Sequence, residues 1–276
     1  MKAKKASIGI LAALSVASAM LAVPPVAGAN PPATAGYAGP ARDVTENPAT
    51  INGSHRFTSR NWDGYLTYTS SESTDFSTVA ASWIQPTVTC EAKNAWTVFW
   101  IGLDGWFNDT VEQGGTQAQC GTVGGTPAYS MWWEMYPTNS IQTVLVINPG
   151  DEITASVRFV AATSVFTIKV TDVTSGKSFT RREQCASGLT CDRSSADVIT
   201  EDVGRYGGSG YFPLANYGTM GYTKAKVTDT AGETGTISAS EWLNSSVTEK
   251  EGTTTYATVT PLSAHGSSFD TVWNHQ

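Results

Sequence analysis

Short runs of alternating apolar and polar residues dominate this chain after Arg60, and they restrict its fold more than any other feature. The runs are rich in Thr, Val, Ser and aromatic residues and are separated by Gly, Pro, Asn or Asp, a pattern typical of strands joined by turns. No helical periodicity extends beyond about three turns in this region. The sequence therefore predicts an all-β domain, a β-sandwich of two antiparallel sheets of jelly-roll type. Strands are predicted at 62–69, 77–84, 96–103, 110–113, 128–136, 141–147, 153–160, 165–170, 179–182, 196–203, 223–227 and 254–259.

The first 29 residues have the three-part plan of a secretory signal peptide. Three lysines open the segment, the apolar run 8–23 follows, and the small residues 26–29 offer a cleavage site. The run is shorter than the roughly 20 residues that a membrane span needs, and two prolines follow it, so an anchor is the weaker interpretation. We expect residues 1–29 to be removed and the mature protein to be secreted and extracellular.

Two further segments follow the predicted signal peptide. Residues 30–59 are rich in Pro, Ala, Gly, Thr and Asn and show neither helical nor strand periodicity, so we interpret them as flexible. They are either a propeptide that keeps an enzyme silent during export or a linker. Residues 60–276 contain no repeat or low-complexity break and are long enough for one domain with its own core.

The charge balance restricts the partners of the mature protein. The chain has 17 basic and 24 acidic residues, and without the three lysines of the signal peptide the formal charge is −10 at neutral pH. This charge argues against nucleic acid and against an anionic membrane as a partner. It also keeps an exported protein soluble, which is its simplest explanation.

Four cysteines in an exported chain favour disulfides, and three pairings are possible. Cys185 with Cys191 closes a short loop, and Cys90 with Cys120 links neighbouring segments, so we favour these two bridges. Zinc is not expected, because the chain has no CxxC spacing and its three histidines lie near the ends of the mature protein.

Elimination leaves carboxylates, amides and aromatic rings as the groups that could carry chemistry. Without a histidine in the middle of the domain, a Ser-His-Asp or Cys-His arrangement has no base, and no GxSxG, HExxH or phosphate-binding motif is present. Strand alternation places Gln113 on one face with Val111, and Glu201 with Ile199. A polar group flanked by apolar residues at i±2 points into a partly buried place, which indicates a paired or functional group.

Four motifs occur in order on these strands and resemble those of the glutamic peptidases, also called eqolisins. They are WxGxDG at 100–105, xxQxG at 111–115, WxExYP at 132–137 and ADxITED at 196–202. The resemblance runs from Asn61-Trp62-Asp63-Gly64 to the C-terminal segment and so covers nearly the whole domain. It implies a sandwich of two large antiparallel sheets, concanavalin-like, and hydrolysis of peptide bonds in acid without metal, cofactor or covalent intermediate.

The resemblance also implies the roles of individual residues. Gln113 and Glu201 match the catalytic pair, and Trp100 and Glu134 match positions that line the cleft. We add Trp132 and Asp104 as substrate-binding candidates, although Trp132 and Trp133 must face opposite ways and Asp104-Gly105 is also a turn signal. The chain departs from fungal members of the family at Asp197, where they often have Glu, and at Gln117, where they have an acid. Protein or peptide substrates and a monomer are expected.

Two alternatives of other classes remain open at this stage. A jelly-roll glycoside hydrolase would place Glu134 and Glu201 on either side of a glycosidic bond. A non-catalytic sugar-binding sandwich would use the tryptophans as a stacking surface. Gln113 is central to the peptidase and dispensable in both alternatives.

Overall fold

The computed structural model describes residues 36–51, 54–70, 76–205 and 210–275. Every regular element in these ranges is a β-strand, which confirms the all-β prediction. The described residues contain no helix long and apolar enough to cross a membrane. The predicted signal peptide lies outside the described residues. The strands are β1 (Gly36–Tyr37), β2 (Thr45–Ile51), β3 (Ser54–Ser59), β4 (Trp62–Tyr68), β5 (Phe76–Ile84), β6 (Trp96–Leu103), β7 (Val111–Gln119), β8 (Ala128–Tyr136), β9 (Gln142–Val146), β10 (Glu152–Val160), β11 (Val165–Asp172), β12 (Lys177–Glu183), β13 (Ser195–Asp202), β14 (Gly204–Arg205), β15 (Thr219–Asp229), β16 (Thr234–Gly235), β17 (Leu243–Glu251), β18 (Thr254–Val259) and β19 (Phe269–Trp273).

The strands form two packed layers, as predicted. The first layer has the order β9-β8-β7-β6-β13-β4-β17-β3-β2, and the second has the order β12-β11-β10-β5-β15-β19-β18. The hairpin of β17 and β18 joins the layers at one side, and β5, β10 and β11 pack across β6 and β7. Among the described pairings only β3 with β17 is parallel. The antiparallel sandwich is therefore confirmed.

Alternation along β6 separates two apolar clusters on opposite faces of the first layer. Phe99, Ile101 and Leu103 point between the layers and join the main core. Trp96, Val98 and Trp100 point to the other face and join a second cluster, which also contains Trp62 and Trp132. Trp133, next to Trp132, packs against the main core instead. The two tryptophans thus face opposite ways, as period two requires.

Both predicted disulfides are present. Cys90 is bonded to Cys120 and Cys185 to Cys191, and no free cysteine remains in the described ranges. The first bridge is buried and joins the segment before β6 to the end of β7. It therefore fixes one end of the two strands that carry Trp100 and Gln113.

The expectation of a flexible stretch at 30–59 is wrong for its described part. Residues 45–51 and 54–59 form β2 and β3 at the edge of the first layer, and β1 pairs with β14. These strands pair through backbone hydrogen bonds, which nearly every residue type can form. They therefore form without the alternating apolar side chains by which strands are predicted. The folded unit therefore begins before the predicted boundary at Arg60. A propeptide or linker role for 30–59 remains a prediction.

Gly115 on β7 allows three strands to approach closely. It lies opposite Trp100 of β6 and Trp132 of β8, and a Cβ atom there would lie 2.0 Å from the carbonyl oxygen of Phe99. We expect Gly115→Ala to lower the free energy of unfolding by about 1–3 kcal/mol or more, because backbone must shift to admit the methyl group.

Urea unfolding measures this effect. Gly121→Ala is the matched control, since a Cβ atom at Gly121 has no neighbour within 4 Å, and we expect it to stay within about 0.5 kcal/mol of the wild type. Equal losses in the two variants would contradict the close-approach explanation.

Candidate active site

Four adjacent strands bring four of the six predicted site residues together on the outer face of the first layer. Glu134 of β8 is the direct register partner of Gln113 of β7, and Trp100 of β6 is the partner of Ile199 of β13. Glu201 lies two residues after Ile199 and so shares its face. The strand order β8-β7-β6-β13 therefore aligns Glu134, Gln113, Trp100 and Glu201 across one surface.

Glu201 is fully buried and accepts three hydrogen bonds. Its Oε2 accepts from Nε1 of Trp100 at 2.9 Å. Its Oε1 accepts from Nδ2 of Asn61 at 3.0 Å and from the backbone N–H of Gly39 at 3.0 Å. Burial raises the pKa of Glu201 well above its ordinary value, and the three donors oppose this rise by stabilising the carboxylate.

Gln113 holds a backbone carbonyl with its amide. Its Nε2 donates a short hydrogen bond to the carbonyl oxygen of Ala38 and lies 3.4 Å from Oε2 of Glu134. Its Oε1 is buried and has no hydrogen-bond partner among the described residues. The side chain therefore presents a donor to a peptide carbonyl and keeps one acceptor available.

Glu134 also forms a hydrogen bond with Ala38, the residue whose carbonyl oxygen Gln113 contacts. Its Oε2 accepts from the backbone N–H of Ala38 at 3.0 Å. Burial raises the pKa of Glu134 well above its ordinary value, the Ala38 N–H lowers it, and the nearby charge of Glu201 raises it further. Glu134 is thus a hydrogen-bonding group for a peptide backbone, a contact that fits its predicted place in the cleft.

Trp132 lies on the same face of β8 as Glu134, two residues before it. It is fully buried in the second apolar cluster, and its Nε1 donates to the carbonyl oxygen of Thr116 at 2.9 Å. The contact is to the strand next to its own, and no described contact joins Trp132 to the segment at residues 38–39. Its place is that of a support for β7.

Asp104 does not join the group. It has a left-handed backbone conformation with φ of 69°, followed by Gly105 with φ of 101°, as the turn interpretation expects. Its carboxylate accepts from the backbone N–H groups of Arg193 at 2.6 Å and Ser194 at 2.8 Å, and from Nδ2 of Asn108 at 2.8 Å. These contacts fasten the β6–β7 turn to the start of β13.

Asn61 is a site residue that the sequence reasoning missed. Its Nδ2 donates both to Glu201 and, at 3.1 Å, to the carbonyl oxygen of Pro40, while its Oδ1 accepts from the backbone N–H of Arg42 at 3.0 Å. The only signal was its position at the start of the Asn61-Trp62-Asp63-Gly64 motif. Its amide orients the Glu201 carboxylate.

A cavity of about 590 Å³ opens beside Glu201, within the size range of small-molecule sites. Tyr136 and Tyr211 line it together with Arg42, Arg60 and Arg205. Of the four aligned residues, Glu201 lines the cavity. Within the described ranges, no group of three or more His, Cys, Asp or Glu side chains is arranged to hold a metal ion.

Comparisons with known proteins concern the family and the fold of the chain. The family model described as the Peptidase A4 family matches residues 60–269. No curated protein matches the chain significantly. Among solved structures, scytalido-glutamic peptidase with a peptide-based transition-state analogue has a TM-score of 0.64 and 23% identity, covering 78% of this chain and 98% of that one.

Two other solved structures have the same fold. SCP-B, a member of the eqolisin family of peptidases in complex with the tripeptide Ala-Ile-His, has a TM-score of 0.61 and 21% identity and covers 78% of this chain and 98% of its own. Aspergilloglutamic peptidase from Aspergillus niger has a TM-score of 0.54 and 22% identity and covers 65% of this chain and 99% of its own. At these identities the matches establish the shared fold.

Proposed function

Because this chain belongs to the Peptidase A4 family, the glutamic peptidases that its motifs resemble, we propose that it cuts proteins in acid with Gln113 and Glu201 as the catalytic pair. One observation supports the assignment of the pair most directly. A single peptide bond, that between Ala38 and Gly39, has its carbonyl oxygen bonded to Gln113 and its N–H bonded to Glu201. These are the two ends of a peptide bond at which charge and protons move during hydrolysis.

Gln113 is suited to stabilise the oxyanion. Its Nε2 already donates to a peptide carbonyl oxygen, where negative charge develops when water attacks the carbon. The amide carries no charge at any pH, so this donor works throughout the acid range. The buried Oε1, which has no described partner, is an acceptor that can orient the attacking water.

Glu201 is suited to move the protons. As a carboxylate it takes a proton from water, and as a carboxylic acid it returns this proton to the leaving nitrogen, which it already contacts. A Glu with the ordinary pKa of about 4.3 is partly ionised in mild acid, and burial shifts the pKa of Glu201 upwards from there. The raised pKa favours the carboxylic acid that returns a proton, and the three hydrogen-bond donors favour the carboxylate that takes one.

The setting of the activity is part of the proposal. We propose that the protein acts outside the cell as a monomer on protein or peptide substrates, with no nucleic-acid or membrane partner. The signal-peptide pattern at 1–29, the net negative charge and the two disulfides support this setting.

The sugar-directed alternatives receive no support from the tryptophans. Trp100 and Trp132 are fully buried, and their indole N–H groups are bonded to Glu201 and to the Thr116 carbonyl. Stacking on a sugar needs an exposed ring face, which neither residue offers. The family match also assigns the chain to peptidases.

Digestion of a denatured protein at about pH 4, near the ordinary pKa of Glu, tests the proposal. We expect Gln113→Ala to lower kcat/KM by about 10²–10³-fold, the usual loss when one oxyanion donor is removed. Gln142→Ala, on the exposed face of β9, is the matched control and should keep full activity.

Thermal unfolding must show that both variants remain folded. A folded wild type that leaves denatured protein intact, also after removal of the N-terminal segment, would refute the peptidase function. Undiminished activity of Gln113→Ala would refute only the role of the amide.

A further inference from the structure

Three arginines line the cavity of about 590 Å³ at the candidate active site. Arg42 is bonded to Asp109 at 3.1 Å. Arg60 is bonded to Asp43 at 3.0 Å and to Glu251 at 2.6 Å. Carboxylates of the protein therefore already balance the charges of these two guanidinium groups.

Arg205 is the third arginine of this cavity, and it is held in place without an acidic partner in the described ranges. Its Nε donates to the carbonyl oxygen of Tyr211 at 2.8 Å, and its guanidinium carbon lies 4.5 Å from the centre of the Phe212 ring. Its terminal nitrogens, Nη1 and Nη2, have no acceptor in the described part of the chain. The side chain is thus fixed in direction while its charged end stays available for a ligand.

Arg205 also stands where two cavities meet. A second cavity, of about 600 Å³, shares Arg60, Arg205, Gly210 and Tyr211 with the first, which Glu201 lines. A compact space of the first cavity's volume is about 10 Å across, and an extended chain rises about 3.4 Å per residue. A substrate side chain within about three residues of the cut bond can therefore reach Arg205.

The acidic residues of the two cavities do not balance Arg205 in acid. Glu201 and Asp202 are buried, and burial raises the pKa of each well above its ordinary value, which favours the neutral acid. The two other acids that line the cavities are those already bonded to Arg60. The site thus retains a positive charge beside the reacting bond.

A guanidinium group with free terminal N–H groups fits a carboxylate. Its planar fork donates two parallel hydrogen bonds to the two oxygens, and such charge-assisted bonds are stronger than neutral ones. In a peptide, carboxylates occur on Asp and Glu side chains and at the C-terminus. We propose, resting on the function proposed above, that Arg205 is a specificity residue that favours substrates with a carboxylate within about three residues of the cut bond.

The net charge of the protein makes the opposite preference the default. The chain has more acidic than basic residues, and a protein of negative net charge repels acidic peptides. A preference for acidic substrates therefore requires a local positive charge at the site, which is what Arg205 supplies.

Matched peptides that differ only in one carboxylate test the inference. A peptide that the wild type cuts at one bond is made with Gln, and then with Glu, at each of about three positions on either side of this bond. Exposed ion pairs contribute up to about fivefold, and hydrogen bonds to buried charged groups contribute about tenfold or more. For the partly buried Arg205 we expect kcat/KM at about pH 5.5 to be about five- to tenfold higher for Glu at one or two positions, mainly through KM.

This preference should depend on the ionisation of the substrate. A Glu side chain with the ordinary pKa of about 4.3 is mostly neutral at about pH 3 and mostly charged at about pH 5.5, whereas a guanidinium group is charged throughout. The ratio of kcat/KM for the Glu peptide to that for the Gln peptide should therefore rise from about one to its full value over this range. The titration of Glu201 cancels in the ratio, because the same enzyme cuts both peptides at the same pH.

A second pair of peptides identifies the source of the carboxylate. All peptides of the first series have amide ends, and a Gln peptide that ends about three residues after the cut bond is made with a free C-terminus and with an amide. A preference for internal Glu identifies a side chain, and a preference for the free C-terminus alone identifies the chain end. Either result supports the inference if Arg205→Gln abolishes it.

Substitutions assign the preference to one residue. Arg205→Gln should lower the ratio to about one, and Arg205→Lys should retain part of it, because an ammonium group keeps the charge without the planar fork. Arg158→Gln, at an exposed position of β10, is the matched control and should keep the wild-type ratio. Since each ratio is taken within one variant, a partial loss of folded protein does not change it.

The outcomes distinguish this inference from the function on which it rests. Cleavage of the Gln peptides without a carboxylate preference in any pair overturns the role of Arg205 and leaves the peptidase function standing. A preference that Arg60→Gln abolishes and Arg205→Gln retains has the same consequence. If the wild type cuts neither these peptides nor denatured protein, the proposed function fails and the inference fails with it.

Discussion

Glu201→Gln is expected to lower kcat/KM on denatured protein at least about 10³-fold in mild acid. General acid–base groups typically contribute about 10²–10⁴-fold each, and in the proposed mechanism Glu201 serves as base and then as acid. The amide of Gln can neither take up nor return a proton in this range. The substitution also turns one acceptor of Glu201 into a donor that faces the N–H of Trp100 or those of Asn61 and Gly39, so some loss of stability accompanies it.

Two measurements separate the chemical effect from the structural one. Circular dichroism and thermal unfolding establish that the variant is folded at the assay temperature, and Glu241→Gln, at an exposed position, serves as the matched control with unchanged activity. A folded Glu201→Gln variant with more than about a tenth of wild-type activity is incompatible with the assigned role, because general acid–base catalysis is worth at least about 10²-fold.

The second large effect concerns stability and pH. Five buried carboxyl groups outside the candidate active site have pKa values raised well above the ordinary range, and burial is the largest cause in each. A carboxyl group with a raised pKa in the folded state stabilises the fold fully below its ordinary pKa of about 4, and this contribution is lost as the pH rises through the raised value. The groups are Asp63, Glu112, Asp197, Asp202 and Glu249.

The fold should therefore be most stable in acid. Each unit of pKa difference corresponds to about 1.4 kcal/mol, and 1 kcal/mol shifts the Tm of a domain of this size by about 2–4 °C. Because five groups act in the same direction, we expect Tm to fall between pH 4 and pH 7. Differential scanning calorimetry across this range measures the change, and a Tm that rises with pH would contradict it.

Glu249→Gln tests the origin of the effect. Both carboxyl oxygens of Glu249 are buried without a described hydrogen-bond partner, so a neutral amide replaces the protonated acid with little loss. The variant should have a higher Tm than the wild type at pH 7 and a similar Tm at pH 4. Glu241→Gln, which changes an exposed carboxyl group, should leave the pH dependence as it is.

Strand phase is the part of the fold that local sequence determines well. Alternation predicted that Trp132 and Trp133 face opposite ways, and it placed Gln113 and Glu201 on faces with apolar neighbours, because side-chain direction along a strand depends only on residue number. The order of strands in the layers depends on contacts distant in sequence. For example, β13 lies between β4 and β6, and no local pattern specifies that.

The candidate site likewise contains residues that local sequence predicts and residues whose role depends on contacts distant in sequence. The four motifs predicted Gln113, Glu134, Trp100 and Glu201, and the strands bring these four together. The sequence did not identify Asn61, because residue type alone does not distinguish a buried asparagine from an exposed one. Asp104 was assigned to substrate, although its carboxylate is used by backbone N–H groups at Arg193 and Ser194 that approach only after folding.

The parallel pairing of β3 with β17 limits how much of the N-terminal part of the chain can be removed without exposing a sheet edge. Residues 55–59 cover residues 245–249 of β17, and β2 in turn covers β3. Complete removal of residues 30–59 would leave the backbone N–H and C=O groups of β17 exposed as an open edge, which is a template for aggregation between molecules. Residues 54–59 must therefore stay in place for that edge to remain covered.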